Sequence, residues 1–480
     1  MEADIGLIGL AVMGQNLVLN LEEHGFTVSV FNRTFEKTEE FLAKGAKGKA
    51  IYGYKNLQQF IGSLKKPRKI LFMVKAGAPV DALIEEVLPF LEPGDVIIDG
   101  GNSLYVDSQR RMAYLEQKSL LFMGMGISGG EEGARHGPSL MPGGSKAAWS
   151  LVKPIFEAIA AKSKEDGKPC CSWIGTGGAG HYVKMVHNGI EYGDIQLIAE
   201  AYHLLKNVVS PATEEWSSIF SAWNKTELSS YLIEITSRVL THKEGKGLLV
   251  DKILDQAAQK GTGKWTGINA LELGVPVSLI IEAVLARCLS SLKQERVAAG
   301  ALLKKSIQNF TGDKKLFIEE LRQALYLAKI MSYTQGFMLM RAASQEMRWQ
   351  LNYGEIALIW REGCIIRSVF LDKIKKAYEN DGELQSLFFD PFFLEEIRKT
   401  EPALRKVVAI GIERGVPLPS FCAALSFLDG YTTESLPSNL IQALRDCFGA
   451  HMYERVDRKG FFHTDWLGTG GDVSSTPYSV

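Results

Sequence analysis

The chain has 480 residues, of which 46% are hydrophobic and 23% charged, with a formal net charge of −1. That length exceeds one ordinary core and predicts two or three domains in a folded, soluble protein. The balanced charge excludes a global basic field for nucleic acid, so an anionic substrate would need locally clustered Arg and Lys.

Met1-Glu2-Ala3-Asp4 runs straight into an apolar strand pattern. No basic leader or small-residue cleavage site precedes it, so no signal peptide is predicted. No apolar stretch is long enough to span a bilayer. The six cysteines form no CxxC pair; Cys170 and Cys171 are adjacent and the others scattered. Reduced thiols in a cytoplasmic protein are predicted, with no metal site.

From residue 4 to about 175, strands and helices alternate. Strands are expected at Asp4–Leu10, Thr27–Asn32, Lys69–Val74 and Val96–Asp99. Amphipathic helices are expected between them, at Met13–His24, Phe35–Lys44 and Val80–Phe90. This order predicts a largely parallel sheet with helices on both faces. The first strand leads into Gly9-Leu10-Ala11-Val12-Met13-Gly14, a GxAxxG form of the dinucleotide fingerprint. Gly9 permits the tight turn, small Ala11 lets a pyrophosphate approach, and Gly14 lets helix and strand pack closely. The second strand ends at Asn32-Arg33-Thr34, without the Asp or Glu that an NAD enzyme places on the ribose 2′-hydroxyl. A guanidinium and a hydroxyl suit a 2′-phosphate, so NADP is predicted over NAD.

Gly175–Gly180, a run of Gly, Thr and Ala, marks a boundary. Beyond it the pattern turns helical. Val183, Val186, Ile190, Leu197, Ala201 and Leu204 give His181–Lys206 the period of a long buried helix. Further helices are expected at Thr213–Trp223, Glu227–Thr241, Lys246–Lys260, Ser278–Ser306, Lys314–Gln350, Tyr353–Glu379, Pro391–Arg414, Pro419–Tyr431 and Ser438–His451. Lys459–Val480, rich in Gly, Ser and Thr, reads as an extended tail. The expected architecture is a Rossmann-type α/β domain (1–176), a large all-α domain (177–435), and a C-terminal helix and extended tail (436–480).

Within the long helix, Lys184, His187, Asn188 and Glu191 fall at i, i+3, i+4 and i+7 and share one polar stripe. Lys184 and Glu191 are ~10.5 Å apart along the axis at ~1.5 Å per residue, beyond the spacing of a helical salt bridge. That leaves space for a substrate between a base and an acid. A lysine serves as base where burial or nearby cations depress its pKa. The bland alternative is a solvated helix face. Gly189 and Gly193 interrupt the helix at a cost of ~1 kcal/mol each. A ligand or another backbone passing close by is expected there.

Gly274-Val275-Pro276 recurs 141 residues later as Gly415-Val416-Pro417, and Tyr192 and Ala201 map to Tyr333 and Ala342. Coincidence and internal duplication both account for this. In a duplication, Lys184, His187, Asn188 and Glu191 become Leu325, Ala328, Lys329 and Ser332. The second copy would keep the scaffold and lose the chemistry.

Several long motifs resemble the 6-phosphogluconate dehydrogenase family of β-hydroxyacid dehydrogenases. They are Gly9–Gly14, Asn32–Thr34, Val74-Lys75-Ala76, Asp99-Gly100-Gly101-Asn102-Ser103, Ser128–Ala134, Gly137–Gly144 and the most diagnostic, Asp255–Trp265. The resemblance implies oxidative decarboxylation of 6-phospho-D-gluconate to ribulose 5-phosphate and CO₂ with NADP⁺, in the oxidative pentose phosphate pathway, without a metal. It implies Lys184 as the base at the C3 hydroxyl and Glu191 as the acid that protonates C1. Gly9–Gly14, Asn32, Arg33, Thr34, Val74, Lys75, Ala76 and Asn102 would hold NADP. Asn102, Ser128, Gly129, Gly130, His187 and Asn188 would hold the substrate's carboxylate and hydroxyls. Tyr192, Lys260, Thr262 and Arg287 would hold its phosphate. Arg445 and His451 would reach in from a neighbouring subunit, which implies a homodimer with shared active sites, and Phe461–Val480 would thread into the partner. Leu104, His136 and Met125 depart from the family pattern; an acidic residue, a Tyr and a regular glycine-rich turn are expected there. Competing readings are a shorter 3-hydroxyisobutyrate-type dehydrogenase, which lacks Lys260–Trp265 and the late Arg–His pair, and a non-catalytic NADP sensor, against which Lys184 and Glu191 stand.

Overall fold

Four-residue apolar runs such as Ile5–Ile8 and Val96–Asp99 are buried along their whole length, as strands covered on both faces must be. The computed structural model describes residues 2–245, 247–259, 261–303 and 310–468. Its sheet comprises β1 (Ile5–Ile8), β2 (Val28–Phe31), β3 (Ile51–Tyr54), β4 (Lys69–Phe72), β5 (Val96–Asp99), β6 (Leu121–Ser128) and β7 (Ser139–Gly144). The order is β3-β2-β1-β4-β5-β6-β7. All pairs are parallel except β6 with β7, where Ser128 faces Ser139 in antiparallel register. Successive residues belong to different cores: Leu7 and Ile98 to one cluster, Ile8 and Ile97 to the other. The covering helices are α1 (Val12–Glu23), α2 (Phe35–Lys44), α3 (Leu57–Gly62), α4 (Ala78–Val87), α5 (Tyr105–Glu116), α6 (Gly130–His136) and α7 (Lys146–Ile159). Strand order reverses between β1 and β4, which opens a ligand crevice at their carboxyl ends.

The long helix α8 (Ala179–Leu204) leaves the sheet domain and runs through the helical part. Glycines in the sheet let it lie close. A Cβ on Gly126 would stand 2.3 Å from Lys184 Cβ, and one on Gly143 would stand 2.2 Å from the Gly180 nitrogen. The helices that follow it in the chain are α9 (Glu215–Trp223), α10 (Tyr231–Val239), α11 (Thr262–Glu272), α12 (Ser278–Ser291), α13 (Lys293–Leu303), α14 (Lys314–Met347), α15 (Tyr353–Ile359), α16 (Leu371–Asn380), α17 (Pro391–Glu413), α18 (Pro419–Tyr431) and α19 (Ser438–Gly449). Contacts divide the chain into two compact units, Met1–Ala424 and Leu425–Val480. At the 141-residue shift noted in the sequence, the first residue of α12 meets that of α18, and the last residue of α11 meets that of α17. Gly274 and Gly415, which follow α11 and α17, share a left-handed φ of 64° and 65°.

Three expected helices differ. Lys246–Lys260 is no helix where described: two-residue strands at Lys243–Glu244 and Gly247–Leu248 form a hairpin, a 3-10 turn follows at Leu249–Lys252, and the rest is irregular. Ile253 and Leu254, apolar residues of that span, are 63% and 61% exposed. Ser278–Ser306 breaks at Leu292 into α12 and α13, and the end of that span lies outside the described residues. Tyr353–Glu379 breaks into α15 and α16 around the loop 360–370. In the tail, Phe461–Phe462 pairs with Tyr453–Glu454, and residues 469–480 lie outside the described residues. Met125 does not sit in a turn; it is a fully buried residue of β6.

Candidate active site

The Gly9 turn follows β1 into α1 at the crevice. Gly9 has φ +110°, and a Cβ on Gly14 would meet the Gly9 carbonyl oxygen at 2.0 Å. No side chain caps α1, so its first N–H groups remain available to an anion. Asn32 Oδ1 accepts from the Leu10 nitrogen at 3.0 Å, which ties the end of β2 to the turn. Asn32 Nδ2 donates to the Thr34 carbonyl at 2.9 Å and shapes the strand end. Arg33 and Thr34 are exposed beside it, and Ala11 and Val12 are exposed on the turn. Val74, Lys75 and Ala76 follow β4, and Asn102 follows β5, at the same edge of the sheet. The uncapped start of α1 suits a dinucleotide phosphate, and Arg33 offers an exposed cation at the end of β2.

On α8 the polar stripe faces β6 and the loop 360–370. His187 is fully buried. Its Nδ1 donates to Asn188 Oδ1 at 3.0 Å, which leaves Nε2 to accept from the Ser128 hydroxyl at 3.1 Å. Burial, then the Lys184 charge, holds this imidazole well below its ordinary pKa, so it is neutral. Lys184 Nζ stands 3.4 Å from His187 Nδ1, where an N–H suits a neutral amine better than an ammonium. Lys184 is 6% exposed. Burial depresses its pKa, while Glu191 and Cys364 pull the other way. Burial also raises the Glu191 carboxyl, opposed by Lys184 and Arg287 and supported by Asp194. Glu191 Oε2 lies 3.9 Å from His187 Nδ1.

Tyr192 is buried on the same helix, and the Arg287 guanidinium of α12 lies 3.6 Å above its ring. Arg287 Nη1 donates to the Ala258 carbonyl at 3.2 Å, so it also holds the irregular segment before α11. Thr262 is buried at the start of α11. Lys260 lies outside the described residues. Gly129 and Gly130 have φ +118° and +61° and begin α6 after Ser128. Arg445 and His451 belong to the unit Leu425–Val480, on α19 and just after it, where Arg445 Nη1 donates to Gln442 Oε1 at 2.8 Å. Among the described residues no three His, Cys, Asp or Glu side chains gather as metal ligands.

Two features were not read from the sequence. The loop between α15 and α16 closes one wall: the Trp360 ring meets His187 at 5.6 Å, and the Gly363 carbonyl accepts from the Ser139 nitrogen at 2.8 Å. The only sequence signal was Gly363, whose φ is +66°. The glycines of α8 also need another reason than the one expected. A Cβ on Gly189 would meet Thr266 Cγ2 at 2.7 Å, and one on Gly193 would meet Ser332 Oγ at 2.6 Å. Side chains of α11 and α14 occupy that space, not a ligand or a backbone.

Known proteins resemble this chain over both parts. A family model described as the NAD binding domain of 6-phosphogluconate dehydrogenase matches residues 4–175. Another, described as 6-phosphogluconate dehydrogenase, C-terminal domain, matches residues 180–466. The chain is 57% identical over 482 residues to the 6-phosphogluconate dehydrogenase, decarboxylating, of Mus musculus, covering 100% of each. It is 58% identical over 483 residues to that of Rattus norvegicus, again covering 100% of each. A solved Plasmodium falciparum 6-phosphogluconate dehydrogenase, studied in apo form, with NADP⁺ and with 6-phosphogluconate, matches with a TM-score of 0.93 at 47% identity, covering 96% of this chain and 100% of that one.

Proposed function

The chain belongs to the 6-phosphogluconate dehydrogenase family, and from that premise we propose that Lys184 and Glu191 carry its chemistry. The reaction is oxidative decarboxylation of 6-phospho-D-gluconate to ribulose 5-phosphate and CO₂. NADP⁺, when bound, supplies the hydride acceptor. Lys184 takes the C3 hydroxyl proton as C3 is oxidised. The 3-keto acid then loses CO₂, because its carbonyl accepts the electron pair, and protonated Lys184 returns its proton to that oxygen. Glu191 protonates C1 of the enediol. The observation that supports these roles is the buried stripe itself, where one helix holds an amine driven toward neutrality and a carboxyl driven toward protonation.

Ser128, Gly129, Gly130, His187, Asn188 and Asn102 hold the carboxylate and hydroxyls, and Tyr192, Thr262, Arg287 and Lys260 the phosphate. The glycine turn, Asn32–Thr34, Val74–Ala76 and Asn102 hold NADP. The proposed domains are 1–176, 177–435 and 436–480, with the helical domain an internal duplication; the element bounds shared at the 141-residue shift support the latter. A homodimer with shared sites is proposed, in which Arg445 and His451 of one subunit complete the site of the other. A cytoplasmic location is proposed; no described helix is long and apolar enough to cross a membrane, and the six cysteines are unpaired.

NADPH formation with 6-phosphogluconate, with CO₂ measured, tests the reaction. Lys184→Ala and Glu191→Ala are each expected to lower turnover by about 10²–10⁴-fold, the size of a general acid–base contribution. NADP⁺ binding should stay intact. Near-normal turnover in either variant removes the role given to that residue.

A further inference from the structure

Arg111 lies on α5, outside every residue assigned above, and is 1% exposed. A guanidinium persists in such a place only where its N–H groups find acceptors. Arg111 spends them on two loops at once. Nε donates to Asp81 Oδ1 at 2.8 Å, and Nη2 donates to Asp81 Oδ2 at 3.2 Å and to the Gly77 carbonyl at 3.0 Å. Gly77 directly follows Val74-Lys75-Ala76, and Asp81 lies in the first turn of α4, which that loop enters. The remaining arm, Nη1, donates to Asp99 Oδ2 at 3.2 Å. Asp99 ends β5 and is itself spent on both neighbours of Asn102: its Oδ1 accepts from the Gly101 nitrogen at 3.0 Å and its Oδ2 from the Ser103 hydroxyl at 2.6 Å. One turn earlier on α5, the Ser108 hydroxyl bonds His181 Nδ1 at 2.6 Å, which attaches this clamp to α8 one turn before Lys184.

We propose that Arg111 is a positioning residue that fastens the loops 74–77 and 99–103 into a single rigid edge, holding Lys75 and Asn102 in fixed register. The inference rests on the reading that these loops meet NADP. A planar fork reaches three separate acceptors that a single ammonium cannot span. Its two arms can also be cut one at a time.

Steady-state kinetics on the full-length enzyme test it, with Asp81→Asn, Arg111→Lys and, as a control on the loop assignment, Lys75→Ala. Asp81 is partly exposed, so its substitution tolerates folding. Asp81→Asn is expected to raise KM for NADP⁺ about ten-fold, the size of one hydrogen bond to a charged group, with KM for 6-phosphogluconate unchanged. Arg111→Lys should raise KM for NADP⁺ at least as much and also lower kcat, because Asn102 loses its register. A lower melting temperature with both KM values unchanged, while Lys75→Ala raises KM for NADP⁺, overturns the inference and leaves Arg111 a purely structural residue. A silent Lys75→Ala removes the loop assignment first, and the inference with it. Should Arg111→Lys fail to fold, the Asp81→Asn result decides alone.

Discussion

Lys184 must be neutral before it can take a proton, and Glu191 must be protonated before it can give one. Burial moves both groups toward those states, lowering the amine and raising the carboxyl. The pH dependence follows in sign. On the acid side kcat/KM falls as Lys184 gains a proton, and on the alkaline side it falls as Glu191 loses one. Glu191→Gln should therefore remove the alkaline limb from whatever turnover remains; a limb that persists belongs to another group. Arg33 stands at the other end of the site. Arg33→Asp is expected to raise KM for NADP⁺ by about 10–100-fold, since a hydrogen bond to a charged group contributes ~1.5–3 kcal/mol. KM for 6-phosphogluconate should not follow, and an unchanged KM for NADP⁺ removes the 2′-phosphate assignment. These residues were legible because their signal is local: a glycine turn after a strand, and a polar stripe at helical spacing. His187's neutral state was not legible, since it depends first on burial, which only folding supplies when it brings groups such as Trp360 to the ring.

At the scale of elements, α8 was readable from its period, but the wall it leans on was not. β6 and β7 carry Gly124, Gly126, Pro142, Gly143 and Gly144, which read as turn residues in a sequence. In the fold Gly124, Gly126 and Gly143 are what lets α8 approach, since a Cβ on each would meet His181, Lys184 or Gly180. Gly126→Ala would place a methyl carbon 2.3 Å from Lys184 Cβ, so either the strand or the helix must yield. A shift of ~1 Å at the base is expected to cost roughly 10²-fold in kcat, with KM for NADP⁺ retained because the loops after β1, β2 and β4 are untouched. Normal kcat would mean that the contact relaxes elsewhere. Farther along α8, Glu200 caps α18, its carboxylate oxygens accepting from the Ser420 nitrogen at 2.9 Å and the Phe421 nitrogen at 3.0 Å. Burial raises its pKa from 4.5 to about 7. A raised carboxyl contributes stability that is present below 4.5 and lost as pH rises through about 7. The melting temperature of the wild type relative to Glu200→Gln should fall across that window, and a flat difference rules the linkage out. The expected helix at Lys246–Lys260 failed for a related reason: apolar spacing at Leu248, Leu249, Ile253 and Leu254 mimics a helical face, but nothing in a sequence says whether that face will be covered.

At the scale of the whole molecule, large apolar side chains are left uncovered in one chain. On α12 and α13 these include Leu285, Leu289, Val297, Leu302 and Leu303, and on α19 Leu440, Ile441, Leu444 and Phe448, at 53–76% exposure for the last four. Stripes of this kind mark interfaces, which supports the proposed homodimer. The unit Leu425–Val480 is organised around Asp446, the fully buried neighbour of Arg445. Its carboxylate accepts from the Met452 nitrogen at 3.0 Å, His463 Nδ1 at 2.9 Å, the Thr464 nitrogen at 3.0 Å and Trp466 Nε1 at 2.8 Å. The segment that carries His451 is thus fixed to α19 mainly through residues that come later in the chain. Ending the chain after Gly460 deletes three of those four donors and leaves a buried carboxylate short of partners, which is costly. Light scattering and turnover on this truncated chain are expected to show loss of the dimer and of activity together, with NADP⁺ binding by the N-terminal sheet domain retained. Asp446→Asn should reproduce the defect more mildly, because an amide still accepts through one oxygen. A truncated chain that is monomeric yet fully active would mean that each subunit completes its own site, and Arg445 and His451 would then lose the shared role proposed for them.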